Sequence, residues 1–206
     1  MNAADNDPTI SDLFSNEWAL SEVVTVDHYW SGERCPEGRR FETRLLWSEN
    51  AFYVRFDARQ TEPLLVCDKP ELDKKVLGLW DRDVCEIFIA PYAKQRNRYF
   101  EFEIAPTGEW VDLKIDSTYG ERVTDQEYVS GMESAARIEK DRIVMAIKIP
   151  WTGFGLRPNV GDIWLGNIFR CVGSGETRGY LAWQPTMTKT PNFHVPDRFG
   201  SFLFKA

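Results

Sequence analysis

A strict apolar alternation with a period of two constrains this chain more than any other feature. Phe52, Val54 and Phe56 alternate with Tyr53, Arg55 and Asp57. Phe100, Phe102 and Ile104 alternate with Glu101 and Glu103. Ile143, Met145, Ile147 and Ile149 share one side, with Lys148 opposite. Successive side chains of extended backbone point to opposite faces, so each run makes a strand with one face for a core. No stretch keeps an apolar period of 3.6 over three turns, which leaves little room for helix. Strands are predicted over 41–47, 51–58, 84–90, 99–105, 109–115, 135–138, 142–149, 162–172, 180–183 and 201–204. Turn residues separate them: Ser48-Glu49-Asn50, Pro106-Thr107-Gly108 and Lys140-Asp141. One short helical turn is expected at 150–154. Segment 61–79 reads as a loop with a short helix around 70–75. Many short strands divided by turns predict an all-β fold, an antiparallel β-sandwich of the jelly-roll or immunoglobulin-like two-sheet kind.

The 206 residues fit one such domain. Residues 1–16 are polar and acidic and are expected to be a flexible lead-in; residues 17–206 form the domain. No linker or internal repeat interrupts it. The net charge of −7 argues against nucleic acid, which is bound by lysine and arginine, and against an anionic membrane. No apolar run approaches the roughly 20 residues of a spanning helix. The N-terminus lacks the basic and apolar regions of a signal peptide. As it stands the chain is expected in the cytoplasm, or outside it if a signal has been removed. Cys35, Cys67, Cys85 and Cys171 show no CxxC pair, and with only 2 histidines zinc spacing is absent. No metal and no cofactor are expected.

The residues that alternate with the core positions form the candidate site. Glu86, Glu101, Glu103, Lys148, Arg170 and Arg55 are expected to share one surface. Such an array of charged donors and acceptors suits sugar hydroxyls, while a flat aromatic ring suits a sugar's C–H face. Trp80 precedes the strand 84–90 and is a candidate for the rim. Phe193 and His194, in the irregular stretch 186–198, are candidates for the opposite rim. The plainer alternative is that Trp80 plugs the sandwich edge and the charges form surface ion pairs. No P-loop, GxGxxG, HExxH or nucleophile elbow occurs. Carboxylate pairs (Asp83 with Glu86, Glu101 with Glu103) leave glycoside hydrolysis open as an alternative. A protein-interaction module is a third.

Beyond this pattern, Trp80-Asp81-Arg82-Asp83-Val84-Cys85-Glu86-Ile87-Phe88-Ile89 resembles the W-x-x-D-x-V-E-I-F-I segment of family 9 carbohydrate-binding modules, with Cys85 where valine is usual. Further short matches follow in order. They are Leu45-Leu46-Trp47, Tyr99-Phe100-Glu101-Phe102, Ala146-Ile147-Lys148-Ile149-Pro150-Trp151, Gly161-Asp162-Ile163-Trp164, Trp183-Gln184-Pro185 and Asn192-Phe193-His194-Val195-Pro196. The likeness spans roughly residues 18–206. It implies a sandwich in which two tryptophans clamp a terminal sugar and polar side chains read its hydroxyls. Trp80 matches the first clamp residue and Glu86 a hydrogen-bonding carboxylate; the second clamp position falls at Phe193 or His194. Glu103 falls where sugar-binding members carry a basic group, and Phe169 near a glutamine position. A related sandwich family binds haem through methionine and histidine. His28, His194, Met132, Met145 and Met187 are the candidates of those types, and Met145 lies in the core pattern. The expected partner is a mono- or oligosaccharide, held by Trp80, Glu86, Glu101, Glu103, Arg170, Phe193 and His194.

Overall fold

A computed structural model describes residues 1–4 and 6–206. Thirteen strands follow in chain order: β1 (Asn2–Ala3), β2 (Val23–Val26), β3 (Phe41–Trp47), β4 (Ala51–Arg59), β5 (Val84–Ala90), β6 (Arg98–Ile104), β7 (Trp110–Asp116), β8 (Val123–Asp125), β9 (Glu133–Ile138), β10 (Arg142–Pro150), β11 (Ile163–Val172), β12 (Gly179–Ala182) and β13 (Gly200–Leu203). Among the described residues the one α-helical segment, α1 (Trp151–Phe154), is the short turn expected after β10. Gly155 closes it in the left-handed conformation, with φ of 71°, where a side chain would be strained.

The strands form two sheets. The first runs β1-β3-β4-β10-β9, with β2 also paired to β3. The second runs β12-β11-β5-β6-β7-β8, with β13 also paired to β11. Pairing is antiparallel throughout, apart from the two-residue parallel bridge of β1 to β3. The expected sandwich is therefore what forms.

Its main core lies between the sheets. Phe52, Val54, Phe56, Met145 and Ile147 from the first sheet meet Ile87, Ile89, Phe102, Ile104 and Ile168 from the second, all nearly inaccessible to solvent. Two further apolar clusters cover the outer faces. On the first sheet Tyr53, Val144 and Ala146 are capped by Ile10, Leu13 and Trp18. On the second sheet Val84, Phe88, Tyr99, Val111, Leu113, Phe169 and Phe193 make an apolar bed. Trp47, Trp151 and Trp164 belong to the inter-sheet core. Much of the aromatic content is thus ordinary core material.

Two local expectations change. The first residues, expected as a flexible lead-in, lie against the first sheet. Asn2 and Ala3 pair with Leu46 and Trp47, Ile10 and Leu13 are buried, and the Leu13 carbonyl accepts a 2.6 Å bond from Arg55. Scattered apolar residues in a polar segment carry no periodicity, but the outer face of the sheet needs a cover. The short helix expected at 70–75 does not form; the segment is irregular there.

Candidate ligand-binding site

The second sheet's outer face carries a cavity of about 420 Å³. Its floor follows directly from strand register. Phe169 stands opposite Glu86, Glu86 opposite Glu103, and Glu103 opposite Val111. These four residues form one row across β11, β5, β6 and β7. Phe88, Glu101 and Leu113 form the next row. Because a residue and its second neighbour share a face, Glu101 and Glu103 lie beside each other on β6, and Glu86 lies across from Glu103.

Loops build the walls. Trp80 stands on the short turn Leu79–Asp81 that enters β5. Gly78 adopts the left-handed conformation, with φ of 82°, which turns the chain into it. Leu79 is fully buried and anchors the turn. Arg178 fixes it from the other side, donating to the carbonyls of Trp80 (2.8 Å) and Arg82 (2.5 Å) and to that of Gly173 (2.8 Å). Trp80 is left 39% exposed, the most of the chain's eight tryptophans. The segment 191–194 brings Pro191, Asn192, Phe193 and His194 to the same cavity; Arg122, Thr124 and Gln126 come from β8 and its flanks.

Phe193 does not stand free as a second clamp. It stacks on Phe169 with ring centroids 4.1 Å apart and planes within 11°, while Tyr180 meets its edge. His194 is held more closely. Its Nδ1 lies 2.8 Å from the Tyr99 hydroxyl, its ring packs on Phe88 at 5.1 Å, and its backbone N–H donates to the Asn192 side chain at 3.0 Å. Burial holds its pKa down to about 3, so the imidazole stays neutral at physiological pH. Its Nε2 lies 4.0 Å from Glu101 Oε2 and makes no ion pair in that neutral state.

Glu86, Glu101 and Glu103 are almost wholly buried. One oxygen from each lies within 4.8 Å of the others. Glu101 Oε2 and both oxygens of Glu103 have no hydrogen-bond partner among the described residues. Burial is the main cause that raises all three pKa values. Mutual repulsion adds to it at Glu86 and Glu103. Glu101 is pushed up to about 7, and Glu86 and Glu103 are raised well above the usual carboxylate range. The Cys171 thiol, 3.5 Å from Glu86 Oε1, is raised well above its usual range by the same burial. The only basic side chain lining the cavity, among the described residues, is Arg122.

Arg170 requires correction. It was expected on the same surface, but it stands opposite Cys85 and Leu181, on the inter-sheet side of β11. There its guanidinium donates to the carbonyls of Arg39 (2.6 Å) and Arg59 (2.7 Å) and to Gln60 Oε1 (2.5 Å). A buried charge needs such partners, and here they close one end of the sandwich. Arg55 and Lys148 belong to the outer face of the other sheet, bonded to Asp57 and Glu133. The single charged surface therefore divides between two sheets. The alternation holds in β4, β6 and β10, but β11 is buried on both faces, with Ile168 on one side and Phe169 on the other, so its sequence does not say which side Arg170 takes; nor does the sequence say which sheet each strand joins. Arg122, Thr124, Gln126, Asn192 and Tyr180 also line the cavity and are not among the expected ligand contacts, because loop and edge-strand residues reach it only through tertiary placement.

The profile of the family described as carbohydrate family 9 binding domain-like matches residues 12–206. No curated protein matches. Solved structures resemble the chain across nearly its whole length. A candidate carbohydrate-binding protein from Bacteroides uniformis superposes with a TM-score of 0.72 at 17% identity, covering 92% of this chain and 89% of that one. A family 9 carbohydrate-binding module from Caldicellulosiruptor kristjanssonii in complex with glucose gives 0.70 at 15% identity, with coverage of 100% and 95%. The same source's module in complex with cellotriose gives 0.69 at 14%, with coverage of 100% and 93%.

Proposed function

Since this chain belongs to the carbohydrate family 9 binding domain-like family, we propose that it is a non-catalytic carbohydrate-binding domain whose site is the cavity beside Trp80. The observation that carries the reading is the exposure of that one indole at the wall of a polar-floored cavity. Exposing a tryptophan forfeits burial that would otherwise stabilise the fold, and its flat face suits the C–H face of a sugar ring. Glu86, Glu101, Asn192, Arg122 and Gln126 line the same cavity and supply donors and acceptors for hydroxyls. Glu103 lies beneath them, fully covered, and His194 and Phe193 complete the lining. Arg170 has no part in contacting the ligand.

The carboxylates favour binding over hydrolysis. A glycosidase holds its two carboxyl groups on either side of the scissile bond. Here the three stand side by side on one floor, in adjacent strands. Affinity for a small sugar is expected in the micromolar to millimolar range, on the order of 4–8 kcal/mol, because ordering and desolvation oppose the few hydrogen bonds available.

The test is calorimetry with tryptophan fluorescence against mono- and oligosaccharides, each also as its alditol. Saturable heat that vanishes in Trp80→Ala, with an unchanged unfolding temperature, supports the reading. A large loss of stability in that variant, with no sugar heat in the native protein, means that Trp80 is an edge plug.

A further inference from the structure

We propose that Glu86, Glu101 and Glu103 form a site for one hard divalent cation, of the calcium class, on the floor of the cavity. This goes beyond the sugar reading and does not rest on it. The geometry is the first argument. Three carboxylates from two adjacent strands place one oxygen each within 4.8 Å of the others. That is about twice a calcium–oxygen bond of 2.3–2.6 Å, so all three can reach a single ion.

The second argument is the state of Glu103. Its side chain is inaccessible to solvent, and neither of its oxygens has a partner among the described residues. Both of its carboxylate neighbours on the floor share the cluster. Ionising a group kept in such a place without a partner incurs the full desolvation penalty, which a bound cation would offset. Cross-strand like charges such as Glu86 and Glu103 add repulsion. The sheet face around them is apolar: Phe88, Phe169, Val111 and Leu113. That low-dielectric bed makes an ion's charge worth more to the carboxylates than it would be at the surface. Among the described residues no basic side chain makes an ion pair with Glu86 or Glu103; Arg122 and Arg178 act on the cluster only from beyond ion-pair distance, Arg178 being paired with Asp83. The nearest candidate, His194, is neutral, and Glu101 makes no other ion pair.

The donor set selects the ion. All three groups are carboxylates, which suit calcium, magnesium or manganese; carboxylates can also bind in a bidentate way, so three of them supply most of a calcium shell. The ion's remaining positions would open upward into the cavity that Trp80 flanks. A bare ion fits better than an ammonium borne on a sugar, because Glu103 lies beneath the other two and is fully covered.

The experiment is calorimetry on the whole chain, stripped with EDTA and dialysed, titrated separately with CaCl2, MgCl2 and MnCl2. One saturable site tighter than about 100 µM is expected for at least one ion, with a rise in unfolding temperature of about 3 °C or more at saturation. Glu103→Gln keeps the shape and removes the charge, and is expected to weaken binding at least about tenfold. Glu101→Gln serves if that variant does not fold. No saturable heat with any of the three ions overturns the site. So does heat that is unchanged in both variants, which would put the ions on surface carboxylates. Glucosamine binding in the absence of any ion heat also overturns it and gives the floor to an ammonium. Running the sugar panel with and without the ion keeps the two readings apart: sugar heat without ion heat removes only the cation, and ion heat without sugar heat removes only the sugar.

Discussion

At the scale of single residues, the buried ionisable groups set how the fold responds to pH. In the unfolded chain Glu101 has an ordinary value of 4.5, and in the folded state it is held up to about 7 by burial. The folded state therefore keeps protons that the unfolded state has released, and the stability this contributes is lost as pH rises through that interval. Glu86 and Glu103, raised well above 4.5 by the same burial, act in the same direction. His194 acts the other way. Its value falls from 6.5 to about 3 on folding, so its contribution is lost as pH falls below 6.5. The two effects oppose each other between 4.5 and 6.5, and above 6.5 only the carboxylates remain. In metal-free buffer the unfolding temperature is expected to fall from pH 6.5 to about pH 8, and calorimetric scans across that range will show it. Glu103→Gln should flatten the slope and raise the unfolding temperature at about pH 8 by roughly 2–4 °C, the equivalent of about 1 kcal/mol in a chain of this size. A flat or rising curve in the native protein would mean that the three carboxylates are not held protonated. Arg170 is the contrasting case. Its three short bonds satisfy backbone and amide oxygens inside the sandwich, so Arg170→Met should cost about 3–5 kcal/mol in denaturant titrations, while the residual folded fraction binds ligand with unchanged affinity.

At the scale of elements, the strands were legible and the walls of the cavity were not. β3 and β5 form where the alternation places them, over Phe41–Trp47 and Val84–Ala90. Side-chain period and turn residues are local properties of the chain. β2 and β8 gave no such signal. β8 has three residues, Val123, Thr124 and Asp125, and it is a strand because β7 offers it an edge. Yet it carries Thr124, and its flanks carry Arg122 and Gln126, all of which line the cavity. The turn under Trp80 is similar. Its sequence reads as a loop, but its position is set by Arg178, ninety-odd residues away in the chain. Arg178→Ala removes four donated bonds, those to the Trp80, Arg82 and Gly173 carbonyls and to Asp83. It is expected to cost about 2–4 kcal/mol. It should also weaken sugar binding by about tenfold, since a mobile Trp80 must be ordered at the moment of binding. Tryptophan fluorescence anisotropy will report the loosened indole, and unchanged anisotropy would mean that Leu79 alone fixes the turn.

At the scale of the whole molecule, the sandwich is three apolar layers deep rather than one. The inter-sheet core is covered on one side by the N-terminal segment and on the other by the bed of the cavity. Deleting residues 1–16 should therefore lower stability by about 2–5 kcal/mol, from the loss of Ile10 and Leu13 alone, and should expose Tyr53, Val144 and Ala146 to a hydrophobic dye. Sugar binding, on the far sheet, should persist. Loss of the sugar heat in a deletion that remains folded would show that the sheets are coupled. The register of the second sheet has one more consequence. In β5 the even-numbered residues, Val84, Glu86, Phe88 and Ala90, look outward, and the odd-numbered ones look into the core; in β6 the parity is reversed. What this protein recognises and what keeps it folded are thus written on alternate letters of the same short words. Substitution can rewrite one set without touching the other, so recognition is free to drift over a fixed frame. Insertion or loss of a single residue in either strand has no such freedom, because it would send the carboxylates inward and the core aliphatics out to the ligand.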